Sequence, residues 1–215
     1  MYNKKPFFIV FEGIEGSGKS YQSKKLYKSL KKRNLNIVFT REPGGSIGAE
    51  RIRKLILEDY FHKKSKEQFN KYTDTLLYLA ARNEHIQNKI KPAIMKKKII
   101  ICDRFVDSTT AYQVIGKGVD RKFIENIHKK ILFKTKPNLT FVLKVKLNVA
   151  LNRLKKRKTK NRYDKFPQSF YNKAQKSFIN IAKKNRKTHY IFDNSKDNPK
   201  LEKNILDIVL KKIKF

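Results

Sequence analysis

The stretch Gly13-Ile14-Glu15-Gly16-Ser17-Gly18-Lys19-Ser20 carries the most specific chemistry in the chain, because it fits the spacing Gly-x-x-x-x-Gly-Lys-Ser. Glycines let a backbone approach phosphate groups and turn its N–H groups inward, and a following helix N-terminus adds partial positive charge. Lys19 is placed to reach the β- and γ-phosphates of a nucleoside triphosphate, and the Ser20 hydroxyl to hold Mg²⁺. The whole stretch is therefore the candidate binding loop for a nucleoside triphosphate. The bland alternative is a glycine-rich turn with a chance Lys-Ser. Context decides between them. The apolar run Phe7–Phe11 reads as a buried parallel strand, and Leu26 and Leu30 beyond the loop read as one face of a helix.

Those flanking elements recur. Strand-like runs appear at Phe7–Phe11, Asn36–Thr40, Lys98–Cys102, Leu139–Val145 and His189–Phe192, separated by helical sequence. The helix candidates are Ser46–Leu57, Glu67–Ile90, Asp120–Phe133, Val149–Lys158, Gln168–Asn185 and Pro199–Ile213. Such alternation predicts an α/β fold, a five-stranded parallel sheet with helices on both faces, in one domain spanning 1–215. Ligands of these sheets gather at the carboxyl ends of the strands. Arg41-Glu42-Pro43-Gly44-Gly45 and Asp103-Arg104 fall there, beside the glycine loop. In the helix candidate Glu67–Ile90, the residues Phe69, Tyr72, Leu76, Leu79, Asn83, Ile86 and Ile90 form the expected buried stripe. Tyr78 and Arg82, four apart on another face, can meet one ligand side by side. Otherwise they are an aromatic at the core edge and a solvated arginine.

Composition bounds the rest. At 215 residues the chain can bury an ample core, and a single cysteine, Cys102, excludes a disulfide framework. No run reaches the length of a membrane span and no export signal is read, so a cytoplasmic place is expected. His62, His85, His128 and His189 show no metal-ligand spacing with Cys102, which gives no reason to expect zinc. The charge is extreme: 53 Lys and Arg against 18 Asp and Glu, net +35. The lysines are spread over almost every helix and loop rather than gathered in one arm. They read as solvated faces with weak, non-specific polyanion affinity, and no specific nucleic-acid partner is expected.

With these segments placed, the sequence resembles the thymidylate kinases in their bacterial style. The carrying residues are Phe11 to Ser20, Thr40-Arg41-Glu42-Pro43-Gly44-Gly45, Ala80-Ala81-Arg82, Asp103-Arg104-Phe105, Ala111-Tyr112-Gln113 and Pro137-Asn138-Leu139-Thr140. A lid-like segment follows with Arg153, Arg157 and Asn161-Arg162-Tyr163-Asp164. The resemblance implies a nucleoside-monophosphate kinase fold of the P-loop type with a short lid, about 153–166. It also implies a homodimer, Mg²⁺ with ATP, and transfer of the γ-phosphoryl group to the 5′-phosphate of thymidine monophosphate.

Residue by residue, the resemblance makes Lys19 a catalytic cation, Ser20 and Asp103 the metal holders, and Arg41 and Arg104 the clamps on the acceptor phosphate. Glu15 falls near the acceptor's 3′-hydroxyl. Tyr78 is similar to the aromatic that stacks on thymine, and Arg82 to the residue that bonds its O4. Thr109 and Gln113 fall near the base. Tyr112 matches a tyrosine whose ring leaves no room for a 2′-hydroxyl.

Some family members carry an arginine inside the glycine loop. Here Ile14, Glu15 and Ser17 occupy the variable positions, so the transition-state cation is expected from the lid. Arg157 and Arg162 are the catalytic candidates, and Arg153 an ATP-binding one. Lys144 departs from the Asp that many members carry. Two rival readings remain from sequence. One is another P-loop kinase, acting on a different monophosphate or on a nucleoside with Glu12 as general base. The other is a nucleic-acid-stimulated ATPase.

Overall fold

The structure, a computed structural model, describes residues 5–57, 68–133, 135–157, 166–196 and 198–213. Five strands form one parallel sheet: β1 (Phe7–Glu12), β2 (Ile37–Arg41), β3 (Ile99–Asp103), β4 (Leu139–Lys144) and β5 (His189–Asp193). Their order is β2-β3-β1-β4-β5. Every expected strand is present, and the bounds differ by a residue at most ends.

Side chains alternate across a strand, so a strand covered on both faces must be apolar throughout. Phe7, Ile9 and Phe11 pack with Leu26 and Leu30 of α1 (Lys19–Lys31) and with Leu201, Ile205 and Val209 of α9 (Pro199–Ile213). Phe8 and Val10 face the other way, onto Ile86, Ile90 and Phe105. Farther along that face, Val142 and Val145 meet Phe170, Tyr171, Ala174 and Phe178 of α8 (Gln168–Lys184). Each fully buried Ile or Phe contributes roughly 1.5–3 kcal/mol, which is why the continuous apolar runs specify the sheet.

Register brings the polar strand ends together. Phe11 lies beside Asp103, and Asp103 beside Arg41. The loops after β1, β2 and β3 therefore open at one level, on the carboxyl edge. The Arg104 backbone then turns into the left-handed region (φ 74), a conformation that costs a non-glycine residue energy and is found at functional sites.

Two helical expectations need correction. The candidate Glu67–Ile90 begins as α3 (Lys71–His85), where the Asn70 side chain accepts the Tyr72 N–H at 2.8 Å; Glu67 lies outside the described residues. Its buried residues are Asp74, Thr75, Leu79, Ala81, Arg82 and His85, whereas Tyr72 and Leu76 are 38% and 47% exposed. Past His85 the chain runs in π-helical geometry over Ile86–Ile90 into α4 (Lys91–Met95). Leu79, Ile86 and Ile90 of the expected stripe are buried, but its first half is displaced because α3 buries a polar face. The second correction is an addition: α5 (Val106–Thr109) and a π-helical stretch Thr110–Gly116 follow β3, where no helix was expected. The remaining helices are α2 (Ile47–Leu57), α6 (Arg121–Ile131) and α7 (Leu147–Lys155). Asp120 caps α6 by accepting from the N–H groups of Lys122 and Phe123.

Candidate active site

Gly18 has φ 86 at the start of α1, and a Cβ there would collide with the Asn194 amide. Asn194 in turn donates from Nδ2 to Ser17 O at 2.7 Å, so the segment after β5 grips the glycine loop. At Gly16 a Cβ would lie 2.5 Å from Ala150 O of α7. The loop is thus packed between two elements that a larger residue would displace. Ile14 sends its side chain into the core, while its carbonyl accepts from Ser17 N and from Lys19 Nζ at 3.3 Å.

Lys19 is buried, and burial together with the Arg104 charge lowers its ammonium to about 8. The Ser20 hydroxyl donates to Asp103 Oδ2. The other oxygen, Oδ1, is buried with no hydrogen-bond partner among the described residues. A hydroxyl facing a buried carboxylate with an orphaned oxygen is a donor set that suits Mg²⁺, a hard cation that takes oxygen ligands.

Arg104 is held from several sides. Its Nη1 donates to Gly13 O at 2.9 Å and to Ser108 Oγ at 3.1 Å, and its Nη2 to Glu15 Oε1 at 2.7 Å. The second Glu15 oxygen accepts the Tyr112 hydroxyl at 2.6 Å. Burial alone would raise the Glu15 carboxyl, but the charges of Arg104 and Lys19 outweigh it and hold the group below the ordinary carboxylate value. Behind Arg104, buried Glu12 accepts the N–H groups of Phe105 and Ser108 on one oxygen and the Ser108 hydroxyl on the other. Burial and the Asp107 charge push Glu12 up to about 8.

On the β2 side, Arg41 pairs with Glu50 at 3.0 Å, and Glu50 also accepts the Gly45 N–H at 2.8 Å. Arg53 donates to Pro43 O at 2.6 Å. Deeper in, Glu42 receives Arg82 on one oxygen and His85 Nδ1 on the other, and His85 Nε2 meets the Thr40 hydroxyl at 2.6 Å.

One cavity of about 490 Å³ joins these parts. Gly16, Lys19, Ser20, Arg153 and Arg157 line it, together with Arg41, Asp103 and Arg104. Tyr78, Arg82, Thr109, Tyr112 and Gln113 line the same cavity, and Gln113 Nε2 is buried without a partner among the described residues. A cavity lined by several cations, tyrosines and a few polar groups suits two phosphorylated ligands meeting head to head.

Comparison with known proteins agrees. The family model "Thymidylate kinase" matches residues 11–205. The chain belongs to the thymidylate kinase family. It is 43% identical over 178 residues to the thymidylate kinase of Wolbachia pipientis wMel, covering 81% of this chain and 84% of that protein. Against the thymidylate kinase of Wolbachia pipientis subsp. Culex pipiens the identity is 40% over 212 residues, 96% of this chain and 97% of the relative. The crystal structure of the Ehrlichia chaffeensis thymidylate kinase superposes with a TM-score of 0.73 at 32% identity, over 95% of this chain and 99% of that one. The chain is therefore an α/β P-loop phosphotransferase that phosphorylates thymidine monophosphate with ATP. A nucleoside or DNA-stimulated reading is not favoured. Glu12, the base that a hydroxyl acceptor would need, is fully buried and does not line the cavity.

Against the family pattern, most expected site residues converge on the cavity. Gly13, Ile14 and Ser17 do not line it and shape the loop from within. Arg153 Nη1 donates to Gly16 O and Asn194 O, tying α7 to the loop. Arg162 and lid positions 158–165 lie outside the described residues. Arg82 is no solvated arginine: it is 3% exposed. Lys144, unexplained from sequence, pairs with Asp193 on the neighbouring strand at 3.2 Å. Sequence reasoning passed over Arg53, Ser108 and Asn194, and weighed His128 only as a metal ligand. Arg53 and Ser108 had a signal in their nearness to Arg41 and Arg104, whereas His128 and Asn194 had none.

Proposed function

We propose that the two phosphorylated substrates meet over Lys19, Arg41 and Arg104, with ATP on the glycine loop and thymidine monophosphate between Arg104 and Tyr78. The observation that carries this arrangement is that one cavity is lined by Lys19, Arg41, Arg104, Tyr78 and Gln113 alike, with Glu15 of the glycine loop bonded to both Arg104 and Tyr112. Lys19 and the loop N–H groups take the ATP phosphates. Arg104 and Arg41 neutralise the acceptor phosphate, and guanidinium forks suit this because they bind phosphate bidentately. Tyr78 stacks on the base, and Arg82, Thr109 and Gln113 meet its polar edge. Tyr112 fills the space of a 2′-hydroxyl. Glu15 serves the acceptor side by holding both Tyr112 and Arg104 in place. The acceptor phosphate needs no general base because it is already ionised near neutral pH. Catalysis is then positioning and charge neutralisation.

Ser20 and Asp103 would hold Mg²⁺, which when bound neutralises charge on the β- and γ-phosphate oxygens. Arg157 supplies the cation that strengthens as charge develops on the transferring group, with Arg162 as the second lid candidate. The chain works as one domain in the cytoplasm, as a homodimer; exposed Tyr72 and Leu76 on α3 provide apolar surface for such pairing. Among the described residues no helix is long and apolar enough to cross a membrane.

The test is ADP release with thymidine monophosphate, thymidine or duplex DNA as the added component. Only the monophosphate should accelerate it. Stimulation by thymidine would move the reading to a nucleoside kinase. Several-fold stimulation by DNA at low salt would give the +35 charge a catalytic role.

A further inference from the structure

Arg82 is held by four hydrogen bonds and an ion pair, and one partner comes from outside the site. Nε donates to Glu42 Oε2 at 2.8 Å, and Nη2 lies 2.7 Å from the same oxygen and donates to Phe105 O at 2.9 Å. Nη1 carries two hydrogens, one to Thr109 Oγ1 at 2.6 Å and one to His128 Nε2 at 2.8 Å. The Phe105 ring lies 5.3 Å from the guanidinium carbon. Arg82, Thr109 and Phe105 line the cavity; His128, on α6, does not.

We propose that His128 is a positioning residue for base recognition, holding the rear hydrogen of Arg82 Nη1 so that the other hydrogen is presented at the cavity wall. This rests on the assignment of Arg82 to the base under Proposed function. The Thr109 hydroxyl can rotate away and yield its hydrogen to an incoming base carbonyl. His128 is 8% exposed and cannot be replaced by solvent. Burial and the Arg82 charge lower its imidazole to about 3, so it stays neutral, carries its proton on Nδ1 and keeps an accepting lone pair on Nε2. Without that acceptor the rear hydrogen is buried and unpaired, and the planar guanidinium is free to tilt toward another partner.

A guanidinium N–H fixed at the cavity wall donates to the carbonyl at position 4 of thymine and opposes the amino group at position 4 of cytosine. The informative readout is therefore the ratio of kcat/KM for thymidine monophosphate to that for deoxycytidine monophosphate. His128→Met and His128→Leu keep the volume and remove the acceptor; His128→Gln restores one. Both apolar variants should lower the ratio by about tenfold, through the KM of the acceptor, with the KM for ATP unchanged. The Gln variant should recover most of it. Arg82→Gln separates the two layers. If it collapses the ratio while the His128 variants fold, melt lower and leave the ratio intact, His128 is structural only and the proposal fails. If Arg82→Gln itself leaves the ratio intact, the base assignment of Arg82 fails and the positioning role goes with it.

Discussion

The Tyr112 hydroxyl donates to Glu15 Oε2 at 2.6 Å, so a residue of the phosphate loop fixes a residue of the acceptor recess. Phe170 and Phe178 of α8 pack on the same ring, with centroids at 5.7 and 5.8 Å. A ring held at its tip and along its body cannot swing aside for an added hydroxyl. Tyr112→Ala should therefore relax the rejection of ribonucleoside monophosphates, while the KM for ATP stays within about twofold. Tyr112→Phe keeps the ring and should preserve the rejection. Steady-state kinetics with the deoxy and ribo acceptors checks both.

Lys19 gives a pH signature. Its ammonium is lowered to about 8 in the free enzyme, first by burial and then by Arg104. As pH rises through that value the cation is lost, so kcat/KM for ATP should fall with an apparent pKa near 8. The kcat profile should hold to higher pH, because bound phosphates favour the charged form. A kcat/KM profile that is flat to pH ~10, near the ordinary lysine value, would contradict this.

His128 gives a second signature, in stability rather than rate. Its imidazole is lowered from 6.5 to about 3, so the unfolded chain binds the proton more readily than the folded one. The contribution is fully present above pH 6.5 and is lost as pH falls from there toward 3. Relative to His128→Gln, the native protein should lose about 2 kcal/mol between pH 8 and pH 5. Urea titrations of the two proteins at both pH values measure the difference.

Much of this was legible in the sequence because it is local. The sheet follows from continuous apolar runs such as Phe7–Phe11, and the glycine loop from its spacing between a strand and a helix. The helical segment after β3 was not legible. Val106-Asp107-Ser108-Thr109-Thr110 is rich in β-branched and hydroxyl residues that form helices poorly, and its first N–H groups are capped by Glu12, more than ninety positions earlier. The buried polar face of α3 was hidden for the same reason. Arg82 and His85 look solvent-facing until Thr40 and Glu42, from the end of β2, and His128, from α6, arrive from two other segments.

Arg157 borders the cavity at the end of α7, and the phosphate loop contains no arginine of its own. A cation that meets the transferring group mainly in the transition state should affect turnover far more than binding. Arg157→Ala should lower kcat by roughly 10²-fold or more while the acceptor's dissociation constant changes little. Full turnover in that variant would move the role to Arg162 or another cation.

The head-to-head arrangement over Arg104 is tested most directly by following the transferred group itself. ATP labelled in its γ-phosphoryl group, mixed with thymidine monophosphate and Mg²⁺, should place the label in the β-phosphate of thymidine diphosphate. Arg104→Met should suppress that transfer through the acceptor's kcat/KM, with ATP binding retained. Label recovered chiefly as inorganic phosphate, or transfer undiminished in Arg104→Met, would contradict the arrangement.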